Sequence, residues 1–461
     1  MVARLVAENE VKDAVIAELR AEIVGLKRRL GQNSQNSSKP PSSDGLAKPA
    51  PMSLRRKTGR AQGKQPGGPG AYLSMVDNPD TVVNHVPSSC SGCGKGLRAG
   101  VEAGVVRRQV LELPEIRPVV IEHRLYRRRC RGCHQVTTAT APKEASAPAC
   151  YGPGVTALAA YLLGYQHIPV ARTAQFLADL VSLPVSTGWV AGVLATTAAE
   201  LGEFDKRLAE ALRRSPVAHF DETGMRVDGR TRWLHTACTR ELTAYFLHDL
   251  RGAEAMRTFG VLPRFRGVAM HDGWPSYQDY GGTHARCNAH HLRELLEAAE
   301  THPEHAWPGL AGKLLEQLNN AAHDARTAQR DTIPSDILDP LISRFTRTIN
   351  LGLLLHPPNP GRKQSKTRNL LLRLRDYLPD VLRFARDLRV PFTNNQAERD
   401  LRMIKAQLKI SGCWRTTTNA HAWLQVRAYI STTRKNGINT HTALHNAITG
   451  NPWLPPKPEM T

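Results

Sequence analysis

The chain has 461 residues, enough for two to four domains, and its 41% hydrophobic and 22% charged residues are ordinary for a globular protein that buries a core. Lysine and arginine total 62 against 41 acidic residues, so the net charge is +21 and the expected partner is a polyanion, above all nucleic acid. A membrane protein is excluded because the sequence contains neither a long apolar run nor a basic amphipathic helix with large apolar anchors.

The cysteines and the first residues indicate a reducing compartment. Four of the eight cysteines form two C-x-x-C pairs, which favours a metal site over a disulfide framework. The opening sequence MVARLVAENEVKDAV is too charged for a secretory signal peptide. We therefore expect a cytoplasmic protein.

Residues 1–31 form the first predicted element, a helix. Its apolar residues recur at the a/d spacing of a coiled coil: Ile16, Leu19, Ile23, Leu26 and Leu30. This pattern predicts a short dimerisation zipper, and the alternative is an amphipathic helix that docks on its own chain. Residues 32–76 follow as a polar linker rich in glycine, proline and basic residues, which either lies along phosphates or serves only solubility.

Residues 77–150 contain the paired cysteines: Cys90, Cys93, Cys130 and Cys133. Two such C-x-x-C turns supply the four thiolates of a closed, structural zinc site. We expect strands between the pairs, at 105–113 and 119–129. Arginines crowd the second pair, so we expect this module to contact DNA.

Residues 151–212 are predicted to be helical, with the proportions of a helix-turn-helix in their second half. Ser186 or Thr187 is the expected N-cap of the second helix of that unit. A plain helical hairpin that packs on the next domain is the alternative interpretation.

From residue 216 the pattern changes to strands. An Asp228-Gly229 turn joins the first two strands of three, a helix follows near 251–260, and a fourth strand ends at Asp272. Three antiparallel strands, a helix and a further strand match the opening of a ribonuclease-H-like α/β fold. In that fold the first and fourth strands are parallel neighbours, so Asp221 and Asp272 are expected side by side.

A third carboxylate comes from a late helix, predicted to begin with a capping box of Thr393 and Gln396. One face of this helix is apolar, and the neighbouring face is polar. The apolar face comprises Ala397, Leu401, Ile404 and Leu408, and the polar face comprises Glu398, Arg402, Lys405 and Lys409. Glu398 is then able to ligate a metal beside two cations, although an ordinary solvated helix has the same pattern.

Three clustered carboxylates repel each other unless cations lie among them. We therefore predict Mg²⁺, or Mn²⁺, bound by Asp221, Asp272 and Glu398, since oxygen ligands favour these ions over zinc. The long gap before Glu398 predicts a helical insertion at about 300–390 within a domain of residues 213–410, and residues 411–461 form a helical tail. Cys287 and His290 are interpreted as a second zinc half-site, a structural corner or a DNA contact.

In this order, the motifs resemble the insertion-sequence-66 group of DDE transposases over nearly the whole chain. The matching segments are NSSKPPSSD, GKQPGGPG, the paired C-x-x-C module, YGPG, DETG, HDGW-x-x-Y, C-x-x-H and NNQAERDLR. The resemblance implies that Asp221, Asp272 and Glu398 form the DDE triad and that the N-terminal modules bind terminal inverted repeats. Two segments depart from the family pattern, CNAHHLRE and KAQLKISGCWRT.

The leading hypothesis is a bacterial, nucleoid-associated DNA transposase with a multidomain α/β structure. The residues expected to position Glu398 or the phosphate are Asn394, Asn395, Arg399, Arg402 and Lys405. We expect terminal repeats and target DNA as partners, a homo-oligomer of two or more copies, and accessory proteins of the same element. The alternatives are a DNA-binding regulator with a vestigial catalytic fold and a structure-selective nuclease on the same fold.

Overall fold

The computed structural model describes residues 73–457 and eight single residues before them: Lys12, Val15, Ile16, Leu19, Glu22, Ile23, Leu26 and Leu30. These eight are helical and exposed, which agrees with the predicted N-terminal helix. Most of the predicted linker, residues 32–72, lies outside the described residues. Within the described part, none of the helices has the length and apolarity needed to cross a bilayer.

The segment with the paired cysteines has little regular structure. Strands β1 (Arg127–Arg129) and β2 (Val136–Thr138) form an antiparallel pair on either side of the second cysteine pair. The strand prediction for 105–113 was wrong, and only the last three residues of 119–129 form a strand. Val105, Val106 and Val110 are each at least 79% exposed, so a strand there has neither a partner strand nor a core to stabilise it.

Four helices come next: α1 (Pro153–Gly164), α2 (Val170–Val181), α3 (Thr187–Ala199) and α4 (Gly202–Arg214). The predicted cap of α3 is confirmed, since the Ser186 side chain accepts a hydrogen bond from the backbone N–H of Trp189. Helix α3 contains no charged residue and buries Val190, Val193 and Leu194. This packing favours the helical-hairpin interpretation of this segment.

The central sheet has five strands: β3 (Val217–Val227), β4 (Arg230–Cys238), β5 (Thr243–His248), β6 (Val268–His271) and β7 (Thr283–Arg286). Their order is β5-β4-β3-β6-β7. The first three strands are antiparallel, and β6 and β7 run parallel to β3. The predicted hairpin turn is confirmed, with Asp228 at φ 51° and Gly229 at φ 68° in the left-handed region that such two-residue turns need.

Of the remaining α-helices that the structure describes, one lies between β5 and β6 in the chain, and the others follow β7. Helix α5 (Ala253–Phe259) precedes β6, as predicted. After β7 come α6 (Asn288–Thr301), α7 (Trp307–Thr327), α8 (Ser335–Leu355), α9 (Lys366–Asp376), α10 (Leu378–Val381) and α11 (Arg383–Arg386). The last three are α12 (Asn395–Ser411), α13 (Thr417–Lys435) and α14 (Thr440–Ile448). The predicted helical insertion before the late helix is therefore present, as α7 to α11.

Two hydrophobic cores flank the sheet. The larger core joins α1 to α4 with β3 to β5, α12, α13 and α14, and it includes the buried Trp423 and Phe204. The second core joins β6 and β7 to the insertion helices around the buried Trp307 and Phe345. Strand β3 contacts both cores, since Val217 at its start packs against the second core and Val227 at its end lies in the larger one.

Candidate active site

Asp221 lies within β3, and Asp272 directly follows β6, the parallel neighbour of β3. The β3–β6 register pairs Val217 with Val268 and His219 with Met270, and its continuation by two residues brings Asp221 opposite Asp272. Gly267 allows this close pairing, because a Cβ at that position would lie 2.3 Å from the Ser215 carbonyl oxygen. The two aspartates thus lie just beyond the last paired residues of adjacent segments of the chain.

Each aspartate is oriented by a backbone hydrogen bond. The Glu222 N–H donates to Oδ1 of Asp221 at 2.9 Å, and the Trp274 N–H donates to Oδ1 of Asp272 at 2.9 Å. Burial raises the pKa of Asp221 well above its usual value, and the neighbouring carboxylates of Glu222 and Asp272 raise it further. These surroundings disfavour the ionised form of Asp221, and a bound cation would offset that cost.

Glu398 reaches the same place from α12. Its carboxylate also raises the pKa of Asp221, by less than Glu222 and Asp272 do, which places it within electrostatic reach of the strand pair. Glu398 is half-buried in the first turn of the helix, and its Oε1 lies 3.8 Å from Nη2 of Arg293. Asp221 in β3, Asp272 directly after β6 and Glu398 on α12 are therefore within electrostatic reach of one another, although in the described residues their oxygens do not form a group of three within 4.8 Å.

Helix α12 is held against β3 by Asn394. The side-chain amide of this buried residue donates to the Phe220 carbonyl oxygen at 2.9 Å, and its Oδ1 accepts from Nδ1 of His219 at 2.8 Å. The backbone N–H of Asn394 donates to the sulfur of Cys287 at 3.1 Å. The predicted capping box was wrong, since α12 begins after Asn394 without a side-chain cap.

The predicted faces of α12 are present. Ala397, Leu401 and Ile404 are buried and join the larger core, whereas Leu408 is half-buried and Gln407 takes the next buried position. The remaining predicted site residues are exposed: Asn395, Arg399, Arg402 and Lys405. Among them, Arg399 donates to the side chain of Gln396 at 2.8 Å. The cationic side chains that follow Glu398 along the helix are therefore open to a phosphate backbone.

Glu222 is a fourth acid that the sequence analysis missed. It is buried, its carboxylate accepts from the Tyr277 hydroxyl at 2.7 Å, and it pairs with Arg251 at 2.8 Å. The guanidinium of Arg251 stacks on the Trp274 ring at 3.1 Å from the ring centroid. These contacts join the middle of β3, next to Asp221, to the loop after Asp272, so they fix the spacing of the two aspartates. The DETG segment contained this acid, but only its contacts show its role.

His290 and Arg293 on α6 were also missed as members of this site. Asp272 and Glu398 raise the pKa of His290, although burial and Arg293 lower it overall. Nδ1 of His290 is buried and has no hydrogen-bond partner, which leaves a polar atom beside the carboxylates for a ligand to satisfy. The C-x-x-H spacing was the sequence feature that could have indicated this position.

Cys287 is a structural residue at this corner. It is fully buried, and burial raises the pKa of its thiol to about 11, so it is not a thiolate at neutral pH. Together with the hydrogen bond from the Asn288 N–H to the Phe392 carbonyl oxygen, at 3.1 Å, it ties α6 to the start of α12. Of the three interpretations of the C-x-x-H segment, the structural corner accounts for Cys287.

The two cysteine pairs form matching turns. The Cys90 N–H donates to the Lys95 carbonyl oxygen, and the Cys130 N–H donates to the Gln135 carbonyl oxygen, both at 2.8 Å. Backbone N–H groups inside each turn lower the pKa of Cys90 and Cys130, which favours the thiolate that zinc binds. The donor set and its turns therefore fit zinc. No three of the four sulfurs lie within 4.8 Å of one another in the described residues.

Comparison with known families identifies three regions of the chain. Residues 148–422, more than half of the chain and including Asp221, Asp272 and Glu398, match the transposase IS66 family. Residues 87–134 match the zinc-finger binding domain of transposase IS66, and residues 2–74 match a family of unknown function, DUF6444. No significant match was found among curated proteins. The chain belongs to the IS66 transposase family: it is an insertion-sequence transposase that binds DNA, cuts it and transfers it, with a zinc-binding module ahead of the transposase domain.

Proposed function

We propose that Asp221, Asp272 and Glu398 are the catalytic carboxylates of a ribonuclease-H-like domain. The parallel register of β3 and β6 supports this proposal most strongly, because its continuation by two residues brings Asp221 opposite Asp272. The strand order β5-β4-β3-β6-β7, with three antiparallel strands followed by two parallel ones, supports the choice of fold. Residues 213–410 form this domain, with the helical insertion between β7 and α12.

The same three carboxylates are the residues that would hold Mg²⁺ or Mn²⁺. The raised pKa of Asp221 and the unpartnered Nδ1 of His290 both fit a cation with bound water at this point. Bound there, two such ions activate a water molecule or a 3′-hydroxyl and stabilise the leaving oxygen of the phosphodiester. Oxygen donors suit these ions, whereas zinc favours nitrogen and sulfur donors.

The protein's own residues position the carboxylates and the DNA. Asn394 holds the first turn of α12 on β3, so it sets where Glu398 points. Arg402 and Lys405 are exposed on the polar face that begins with Glu398, where they neutralise the phosphates on either side of the cleaved bond. We assign Asn395 and Arg399, exposed at the start of the same helix, to contacts with the DNA backbone.

A joining assay separates a transposase of this mechanism from the two alternatives. Purified protein is mixed with a labelled terminal-repeat end, a supercoiled plasmid and Mg²⁺, and the products are resolved on a gel. We expect Mg²⁺-dependent joining of the repeat's 3′ end to the plasmid. Repeat binding without cleavage would instead indicate a regulator, and cleavage that follows DNA structure without joining would indicate a nuclease.

The zinc module is proposed to recognise the terminal repeats. Substituting Cys130→Ser removes one zinc ligand, so we expect repeat binding to weaken by more than about tenfold, because a zinc module folds only with its metal. Fluorescence anisotropy with a repeat duplex and with a scrambled duplex measures the change. Cys413→Ser, at an exposed cysteine outside the module, is the matched control. Equal repeat affinity of Cys130→Ser and wild type would contradict this role.

We also propose that the N-terminal helix pairs with a second copy of the chain. Its a/d residues are helical and exposed, and their spacing matches a two-stranded coiled coil: Ile16, Leu19, Ile23, Leu26 and Leu30. The double substitution Leu19→Lys and Leu26→Lys should halve the mass measured by light scattering. It places two lysine charges in the apolar interface of the coiled coil, so the two chains should separate. Glu22→Gln on the same helix is the control. An unchanged mass would argue against the zipper.

A further inference from the structure

Three histidines meet at the far end of the insertion, away from the carboxylates. His302 is the C-cap of α6, His305 lies in the turn before α7, and His356 is the C-cap of α8. One ring nitrogen from each lies within 4.8 Å of the others, and among the described residues this is the one group of three metal-ligating side chains that meets this distance. The ring centroids of His302 and His356 are 4.6 Å apart.

A carboxylate lies beside the group, although it is not among the side chains that meet the 4.8 Å distance. Oε1 of Glu304 lies 3.4 Å from Nδ1 of His302 and 3.5 Å from Nε2 of His305. These separations are long for hydrogen bonds but close to the edge of a zinc coordination tetrahedron, about 3.3 Å for metal–ligand bonds of about 2.05 Å. The sequence His302-Pro-Glu-His305 supplies three donors from one short turn, which α8 closes with His356.

We propose that His302, His305 and His356 form a structural zinc site that clamps the end of α6 to the end of α8, with the neighbouring Glu304 carboxylate or water as the fourth ligand. Imidazole nitrogens with one carboxylate suit zinc and do not suit Mg²⁺ or Ca²⁺. Helix α6 has 14 residues and is therefore about 21 Å long. Since its other end lies beside Glu398, the zinc site is too distant to share an ion with the catalytic carboxylates.

The environment of His356 provides a reporter for this site. Nε2 of His356 accepts a hydrogen bond from the indole N–H of Trp307 at 3.3 Å. A neutral imidazole has one lone pair, so His356 must release this hydrogen bond when it binds the metal. The buried Trp307 then loses its acceptor, and its fluorescence changes.

The test counts zinc in the full-length protein after extensive dialysis against Mg²⁺, which keeps weakly held zinc off the carboxylates. We expect two zinc ions per chain in wild type and one in the His302→Gln, His305→Gln double variant, which retains the cysteine module. His323→Gln, at an exposed histidine on α7, is the matched control and should retain two. One ion in wild type, or equal zinc in wild type and the double variant, would overturn the proposal.

Cobalt substitution gives a second readout that does not depend on total metal. In a Cys90→Ser, Cys130→Ser background, Co²⁺ bound at the histidines should absorb in the visible range without the thiolate charge-transfer band. The double histidine variant in that background should bind Co²⁺ at least about 100-fold more weakly, because it lacks two of four ligands. Trp307 fluorescence should change with the same midpoint as the absorbance. Circular dichroism checks that both variants are folded, and Co²⁺ affinity unaffected by the histidine substitutions would reject the site.

Discussion

Asp221→Asn is expected to lower strand transfer by at least about 1000-fold, which corresponds to about 4 kcal/mol of lost transition-state stabilisation. Asn keeps the shape of the side chain and one oxygen, but it removes the charge that holds a divalent ion between β3 and β6. Binding of the terminal repeats should change by less than about twofold, because the phosphate contacts lie on other residues. The joining assay and anisotropy on the same preparation measure the two effects separately.

The same substitution should make the metal-free protein more stable at neutral pH. Burial and the neighbouring carboxylates raise the folded-state pKa of Asp221, so its contribution to stability is complete below the unfolded-state pKa and is lost as pH rises through the raised value. The melting temperature of metal-free wild type should therefore fall between about pH 5 and about pH 8, and that of Asp221→Asn should fall less. Other carboxylates whose pKa values are raised by burial contribute to the fall that remains: Glu222, Asp205, Glu294 and Asp380.

Mg²⁺ and a surface control make this prediction specific. Mg²⁺ should raise the melting temperature of wild type more at pH 8 than at pH 5, and it should have little effect on Asp221→Asn. Asp279→Asn changes an exposed aspartate and should behave like wild type in both assays. Joining by Asp221→Asn at the wild-type rate would remove Asp221 from the catalytic residues. If the melting temperature fell more in the variant than in wild type, ionised Asp221 would not be what destabilises the metal-free protein at high pH.

Asn394→Ala is expected to have the largest combined effect on folding and catalysis. It leaves the Phe220 carbonyl oxygen and the ring N–H of His219 buried without partners, which costs about 2–4 kcal/mol for the two groups. The first turn of α12 then loses its anchor on β3, and Glu398 moves relative to the two aspartates. We expect strand transfer to fall by more than about 100-fold even at temperatures where the variant is folded.

Urea unfolding measures the stability change, and joining at low temperature measures catalysis by the folded fraction. Asn320→Ala, at an exposed asparagine on α7, should change either quantity little, because this position lies outside the residues assigned to the site and to DNA contacts. Asn394→Asp keeps the acceptor for His219 but loses the donor to Phe220 and adds charge beside the carboxylates, so it should be at least as impaired. Full activity of folded Asn394→Ala would mean that Glu398 is positioned by other contacts.

Local sequence patterns were enough to predict the strands and the helix that carry the candidate site residues. The Asp228-Gly229 pair predicted the hairpin because few other dipeptides adopt two left-handed residues in a turn. The apolar period of α12 predicted its buried face, at Ala397, Leu401 and Ile404, since burial of one helical stripe depends on spacing alone. The short apolar runs before Asp221 and Asp272 similarly predicted strands. The predicted strand end is confirmed at Asp272, which directly follows β6, and was wrong at Asp221, because β3 continues through the hairpin to Val227.

The same kind of reasoning failed where no core supports the pattern. Residues 105–113 are rich in β-branched side chains, yet they form no strand, because β pairing needs a neighbour that local sequence does not specify. The capping box at Thr393 failed for a related reason. Asn394 occupies the N-cap position of α12. Its buried side-chain amide forms hydrogen bonds to β3 and does not cap the helix.

By itself, the sequence determined the identity of the acids, the strands and helix that bear them, and the basic charge that suits DNA, because each depends on composition or on short-range periodicity. Only the tertiary structure decided that Glu222 bridges to Tyr277 and Arg251, that Asn394 fastens α12 to β3, and that His356 meets His302 and His305. Such contacts join residues far apart in the chain, and their geometry follows from how the two cores pack against the sheet.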